Sequence, residues 1–356
     1  MVGLTNRDFS RLLVVLTLSA LIWGLAGIGL VLLMQFISMQ NLGIDPVDKH
    51  GPAEVQASRL GGLALILGGV IGLLIFSASG FNSGSEKGFF GIDWYNWIAV
   101  VGCAGLGFIE DISDTAIKPH LRLFVQLVIF SSVFFFWPFL IPKSINIFWI
   151  DYLLSIPIVA FGCCVIFSLG FLNAVNMTDG ANGLISSICV VFFTIMFLEH
   201  GGLASLVMIY SSSVFLILNV ISGRLFLGDA GAYAIGASLL IGALYFFSVD
   251  LVSLSFLAVL LFYPCFECLV TVSRRLIRGR PIMSADENHL HNRLHFHYRK
   301  LFRSKTLANS LVGLTIAVFT SGIALIGYLI NPLLILSSDW TFVFICLLYT
   351  SDAADE

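Results

Sequence analysis

Charge is what this chain most lacks. Only 11% of its 356 residues are Asp, Glu, Lys or Arg, against roughly 25% in soluble domains. Hydrophobic residues make up 58% and the mean hydropathy is +0.98, which excludes a surface made for water and marks an integral membrane protein. Also absent are a G-x-G-x-x-G after a strand pattern and a phosphate-binding P-loop, so no separate nucleotide-binding domain is expected. The seven cysteines all lie in or beside apolar runs. Cys265-Phe-Glu-Cys268 has no second pair to complete a metal set and reads better as two small hydrophobes at i, i+3 of a helix. A secretory leader is not expected either. The first apolar run far exceeds a ~7–15-residue signal core, and no soluble domain follows it.

What is present is a series of apolar runs, at about 12–36, 60–78, 95–109, 121–141, 153–172, 183–198, 203–219, 232–247, 251–273, 307–330 and 333–349. Several fall short of the ~20 residues a helix needs to cross a bilayer. The expected fold is all-α: a polytopic membrane helical bundle of about 11 spans, one domain over 1–345. Gly68-x-x-x-Gly72 and Gly102, Gly105 and Gly107 read as positions where helices pack closely. The tail, Cys346-Leu-Leu-Tyr-Thr-Ser-Asp-Ala-Ala-Asp-Glu356, matches the translation of a sequencing-library adapter. It is set aside as non-native over 346–356, with a natural acidic tail as the alternative.

Numbering the loops alternately places fourteen of the eighteen Lys and Arg on one face, leaving Arg7, Arg11, Lys87 and Lys143 on the other. The richer face is expected to be cytoplasmic, although Arg7 and Arg11 beside the first run argue locally against it. Every unusual polar cluster falls on that same face: Asp45 to Arg59, Glu110 to Asp114, Asn173 to Gly183, Gly228 to Gly231, and Asp286 to His297. Such convergence is the pattern of a composite site built between helix ends.

Each cluster has a chemistry and a plainer alternative. Asn173-Ala-Val-Asn-Met-Thr-Asp-Gly-Ala-Asn-Gly183 sets amides, a carboxylate and glycines between two apolar runs, where oxygens suit a hard cation and amides suit a nucleotide. Glu110-Asp111-Ile-Ser-Asp114 repels itself unless a cation or a basic side chain intervenes, and otherwise is a solvated helix end. Asp229, between Gly228 and Ala230-Gly231, suits a metal ligand, and a helix N-cap explains it as simply. The run from Asp286 to His297 carries four histidines. Phosphate contact through His and Arg fits it better than zinc, since no cysteine accompanies it and its arginines repel a cation. Glu267, deep in a run after Pro264, calls for a partner unless it snorkels to water.

Together the clusters resemble the polyprenyl-phosphate N-acetylhexosamine-1-phosphate transferases, the membrane family that includes the first lipid-linked enzyme of peptidoglycan synthesis and the bacterial starters of O-antigen and enterobacterial common antigen. The resemblance runs in order through Asp45-Pro, Lys49-x-His50, Arg59-x-Gly-Gly62, Gly107-Phe-Ile-Glu-Asp-x-x-Asp114, Asn173-x-x-Asn-x-x-Asp-Gly180, Phe226-Leu-Gly-Asp-Ala-Gly231, Pro264-x-x-Glu267, Arg274-Arg275 and Asp286-x-x-His-x-His291. It implies transfer of a sugar 1-phosphate from a UDP-sugar to undecaprenyl phosphate, with release of UMP, at the cytoplasmic face of a bacterial inner membrane. It implies Mg²⁺, or Mn²⁺ in its place, on Asp229 with Asn176 nearby. Asp179 and the Gly180–Gly183 backbone would meet the nucleotide, Asp111 and its neighbour Glu110 the lipid phosphate, and His289 and His291 the diphosphate. With Asp114 these last four make up the catalytic set. Asn173, Asn182, Lys49, Arg59, Asp286 and Arg293 complete the substrate-binding set. The partners implied are the two substrates and membrane lipid, without nucleic acid and with room for a homodimer.

The chain departs from the family pattern in three places: Glu110-Asp111 stands where Asp-Asp is usual, Asn182-Gly183 where Asp-Gly is frequent, and Asn292 and Glu287 where an extra His or Arg is found. Which sugar is carried is therefore left open. A proton-relay transporter is the rival reading, opposed by charges that cluster at span ends rather than at the bilayer midplane. A catalytically dead scaffold is a second rival.

Overall fold

The computed structural model describes residues 6–40, 44–45, 57–79, 97–113, 117–279 and 289–355. Fifteen helices account for nearly all of them: α1 Asn6–Ser38, α2 Gly61–Ala78, α3 Ile98–Ile112, α4 Pro119–Phe136, α5 Phe148–Leu154, α6 Pro157–Thr178, α7 Leu184–His200, α8 Leu203–Ser222, α9 Gly228–Ser248, α10 Leu254–Leu260, α11 Phe262–Ile277, α12 Leu290–Leu301, α13 Lys305–Phe319, α14 Ser321–Ile330 and α15 Trp340–Asp355. Two-residue strands, β1 Ile44–Asp45 and β2 Ala57–Ser58, pair antiparallel. The all-α expectation holds.

The span count is lower than the sequence suggests. Among the described residues six helices are long and apolar enough to cross a bilayer, or eight if the bent pairs α10–α11 and α13–α14 each count once. The runs at 95–109, 183–198 and 333–349 fall on α3, α7 and α15, of 15, 17 and 16 residues. At 1.5 Å per residue these reach only about 22–26 Å of a ~30 Å hydrocarbon core.

The sharper bend has a local cause. Pro264 has no N–H to donate to the Leu260 carbonyl, and the chain turns by 79° between α10 and α11. The orphaned carbonyl accepts instead from Ser321 Oγ at 2.7 Å. Ser321 opens α14, just past the 44° bend after α13, so each break braces the other.

α9 is the helix the others surround. Its early sequence, Gly-Asp-Ala-Gly-Ala-Tyr-Ala-Ile-Gly-Ala-Ser, is small on nearly every face, which lets backbones approach closely, and 83% of it is buried. α2, α3, α6 and α7 pack on it. Gly107 of α3 faces the Asp229 carbonyl so closely that a Cβ there would overlap it, and Gly62 meets Gly231 in the same way. Of the other glycines expected to pack, Gly68 meets Leu30, Gly72 meets Tyr210 and Gly102 meets Ile129, whereas Gly105 has nothing within 4 Å. Large apolar side chains on the perimeter, such as Leu25, Phe135, Ile158 and Ile166, are exposed, as expected of a surface facing lipid.

Candidate active site

The first turn of α9 is the point at which the polar clusters meet. Ser58 N donates to Arg224 O at 2.9 Å, Phe226 N to Ser58 O at 2.8 Å, Gly61 N to Phe226 O at 2.9 Å and Gly62 N to Leu227 O at 2.7 Å. This strap carries Arg59 to the start of α9. From α3, Asp111 reaches across: its Oδ1 accepts from Asp229 N and its Oδ2 from Ala230 N, both at 2.9 Å. Helix N-termini leave such amides unpaired and favour a negative charge beside them. Gly228, at φ +68 with Asp111 against it, leaves no room for a side chain. On the other side α6 ends at Thr178 and Asp179 follows as its C-cap. The chain turns through Gly183, at φ +80, into α7. A left-handed residue at that corner favours glycine.

These elements enclose a cavity of about 330 Å³ lined by Arg59, Asp111, Asn176, Asp179, Gly180, Ala181, Asn182, Asn219, Phe226, Leu227, Gly228, Asp229 and Asn309. Seven expected site residues are thereby brought together from distant stretches: Arg59, Asp111, Asn176, Asp179, Gly180, Asn182 and Asp229. Asn176 Nδ2 donates to Tyr233 Oη at 3.4 Å. Glu110 points to Arg122, 3.2 Å away. Asn173 donates to Gln126 Oε1 at 2.9 Å and to Leu169 O at 2.8 Å, and is not part of the lining. Arg293, on α12, does not line the cavity either. Lys49, Asp114 and Asp286 lie outside the described residues.

His289 and His291 flank the cavity rather than line it. His289 Nδ1 is 2.9 Å from Glu267 Oε1, and Leu290 N donates to Glu267 Oε2 at 3.2 Å. The deep carboxylate thus has its partner. His291 N donates to Tyr263 Oη at 3.2 Å, and that hydroxyl lies 2.9 Å from His291 Nδ1. Burial, then the neighbouring His289, lowers the His291 pKa to about 4, so the ring is neutral at physiological pH. Either partner can donate in this pair; if Tyr263 gives its proton to Nδ1, the ring proton sits on Nε2. That nitrogen faces Gly180 so closely that a Cβ there would overlap it. The two imidazoles stack, 5.3 Å apart at 8°.

Asp111, Asp179 and Glu110 hold their protons more tightly than carboxyls usually do. Burial pushes Asp111, beyond the apolar stretch of α3, up to about 7 against the pull of its two amide bonds; the Asp229 charge adds to the rise and Arg59 opposes it. Asp179 is raised well above the usual range by burial, then by Asp229 and Asp111. Glu110 is raised by burial and then by Asp229, with Arg122 opposing. A raised carboxyl has the same charge in folded and unfolded chains below its unfolded pKa, and penalises the folded state once both forms are ionised. The cation-free protein should therefore lose thermal stability as pH rises from about 4 through 7. Melting in EDTA between pH 5 and 8 measures this, and an unchanged Tm would contradict it.

Sequence reasoning passed over Asn219 and Asn309. Asn219 Oδ1 accepts from Gly183 N at 2.7 Å, and its Nδ2 donates to Leu225 O at 2.8 Å, tying the α6–α7 turn to the strap. Both asparagines sit inside the apolar runs 203–219 and 307–330. A polar residue in such a run is the signal that could have found them.

Fold and cavity together define a polytopic membrane protein with a carboxylate-lined site where helix ends converge. The model of glycosyl transferase family 4 matches residues 94–247. The chain is 31% identical over 251 residues, 66% of its length and 65% of the relative's, to the "Probable undecaprenyl-phosphate N-acetylglucosaminyl 1-phosphate transferase" of Bacillus subtilis. It is 33% identical over 143 residues, 40% of its length and 45% of the relative's, to the undecaprenyl-phosphate alpha-N-acetylglucosaminyl 1-phosphate transferase of Thermotoga maritima. To a phospho-N-acetylmuramoyl-pentapeptide-transferase of Streptococcus agalactiae it is 28% identical over 210 residues, 54% of this chain and 60% of that one. The chain thus spans from under half to just under two thirds of these curated relatives.

Proposed function

We propose that this chain transfers N-acetylhexosamine 1-phosphate from a UDP-sugar to undecaprenyl phosphate, releasing UMP, and so starts a lipid-linked envelope glycan. The observation that carries this reading is the single cavity in which Asp111, Asp179 and Asp229 face a space also lined by amides and Arg59. A phosphate oxygen of the lipid attacks the β-phosphorus, and the bond from that phosphorus to the UMP oxygen breaks. A phosphate monoester has a second pKa near ~6, so the nucleophile is already dianionic at neutral pH and needs positioning more than a strong base. Asp111 fits that positioning role, and neutral His291, with its ring proton on Nε2, would offer that N–H to a diphosphate oxygen.

Mg²⁺, or Mn²⁺, fits the residues present. The Asp229 and Asp179 carboxylates make no hydrogen bond among the described residues, and the Asp229 charge helps to raise the Asp179 proton affinity. No group of three or more His, Cys, Asp or Glu forms a closed metal cage among those residues. Mg²⁺ needs none, since it keeps waters and takes one or two carboxylates together with substrate phosphates. Asp229, with Asn176 nearby, would hold it, and the bound ion would neutralise the diphosphate.

The deciding experiment incubates membranes containing this chain with undecaprenyl phosphate and a panel of labelled UDP-N-acetylhexosamines. Labelled prenyl-diphosphate sugar with stoichiometric UMP is expected from at least one donor, and none from any would refute the reading. A proton-relay transporter is less well supported, because the one deep carboxylate, Glu267, is already held by His289 and Leu290 N.

The basic asymmetry of the loops favours a cytoplasmic site in the bacterial inner membrane. A cysteine replacing exposed His297 on α12, with exposed Cys163 and Cys346 removed, should resist an impermeant thiol reagent in intact cells and react in inverted vesicles. Labelling in intact cells would reverse the orientation.

A further inference from the structure

We propose that Asn309 and Ser310, both on α13, set the nucleobase end of the cavity and make it select uracil over cytosine. The proposal rests on the uridine-nucleotide reading above. Its starting point is Asn309, which is 3% exposed, lines the cavity and makes no hydrogen bond among the described residues. A buried amide is nearly always partnered, so an unpartnered one at a cavity wall points to a ligand with polar edges. The carboxylates of the same cavity claim the charged part of such a ligand. An amide group suits a heterocycle that offers donors and acceptors together.

An amide alone cannot tell uracil from cytosine, because rotating it by half a turn exchanges its donor and acceptor. The neighbouring residue removes that freedom. Ser310 Oγ donates its one proton to Val220 O at 2.8 Å. Towards Asn182 it is left able only to accept, and Asn182 Nδ2 stands 3.4 Å away. The Asn182 amide is thereby fixed with nitrogen toward Ser310, which leaves Oδ1 as the acceptor it can offer the cavity. Uracil presents a ring N–H flanked by two carbonyls. Its N–H meets Asn182 Oδ1, and one carbonyl takes a donor from Asn309. Cytosine places a bare ring nitrogen against the same Oδ1, acceptor to acceptor. Ser310 is thus a positioning residue and Asn309 a direct one.

The test measures UMP and CMP binding to the purified full chain in detergent with Mg²⁺, by calorimetry. Wild type should prefer UMP by about 10- to 100-fold, the range a well-placed pair of base-edge bonds supplies. S310A should bring the two affinities within about threefold, and N309A should weaken UMP by about tenfold. The distinguishing readout is rescue: adding Asn182→Asp to S310A should restore the preference, since both carboxylate oxygens accept and orientation ceases to matter. A merely structural role for Ser310 would weaken both nucleotides alike and ignore that rescue. If S310A does not fold, S310T (which keeps the hydroxyl) and N309D carry the test, with the preference kept in the first and UMP weakened in the second. Equal wild-type affinity for the two nucleotides, binding of neither, or an unchanged ratio in S310A overturns the proposal. If the UMP preference behaves as described but no donor yields lipid-linked product, the transfer reading fails while the base-reading end stands.

Discussion

Asp229→Ala is expected to lower kcat/KM for transfer by at least about 10³, the scale at which a lost charge-stabilising group acts on a transition state. EDTA should reproduce the loss in wild type, with recovery on adding Mg²⁺ or Mn²⁺. The same substitution should leave the fold unharmed. The Asp229 carboxylate bonds to nothing among the described residues, while its charge raises the proton affinities of Asp179, Asp111 and Glu110. Removing it relieves that repulsion, so the Tm of the variant in EDTA should equal or exceed that of wild type, as at sites where function is held against stability. Full activity in EDTA, or a variant that is inactive because it is unfolded, would remove Asp229 from the role given to it.

Asp111→Asn should be damaging in two ways. The carboxylate caps both Asp229 N and Ala230 N, and an amide can accept from only one of them while aiming its own N–H groups at the other. The broken helix cap costs about 0.5–2 kcal/mol, and the lost charge offsets part of it, because burial and Asp229 disfavour the ionised carboxylate; turnover should fall more clearly than stability. The same two bonds argue against Asp111 as a covalent nucleophile, since attack through either oxygen would give up a cap. Direct displacement predicts that lipid-free enzyme does not exchange labelled UMP into UDP-sugar. Exchange in the absence of any prenyl phosphate would establish the covalent route.

Much of the site was legible in the sequence because charge is so rare in a membrane chain that its positions carry information. Asp111, Asp179, Asp229 and Arg59 were identifiable as polar groups at the ends of apolar runs, and the structure gathers them. Asn173 lies one turn before Asn176 in α6, yet it bonds Gln126, across in α4, and does not line the cavity. Which way a residue faces on a helix flanked by two others is not contained in an almost uniformly apolar pattern. The bends were also hidden. Pro264 announces that a hydrogen bond is missing, but not that Ser321, far along the chain, receives the carbonyl it frees. The count of spans suffered accordingly, because hydropathy reports where the chain is apolar and not where a helix ends.

The cavity is held from two sides. Arg59, Asp111 and Asp229 are locked into one block by the strap on Phe226 and Leu227 and by the cap on α9. His289 and His291 hang from Glu267 and Tyr263 on α11, beyond the bend. On the proposed reading the first block would carry the groups for the lipid phosphate and the ion, and the second would approach the rest of the ligand where His291 meets Gly180. Such a division gives evolution two independent handles. If the proposed transfer holds, substitutions on α11 and α12 would retune how the donor is gripped, and so which sugar is carried, while the block given the phosphate chemistry stays unchanged.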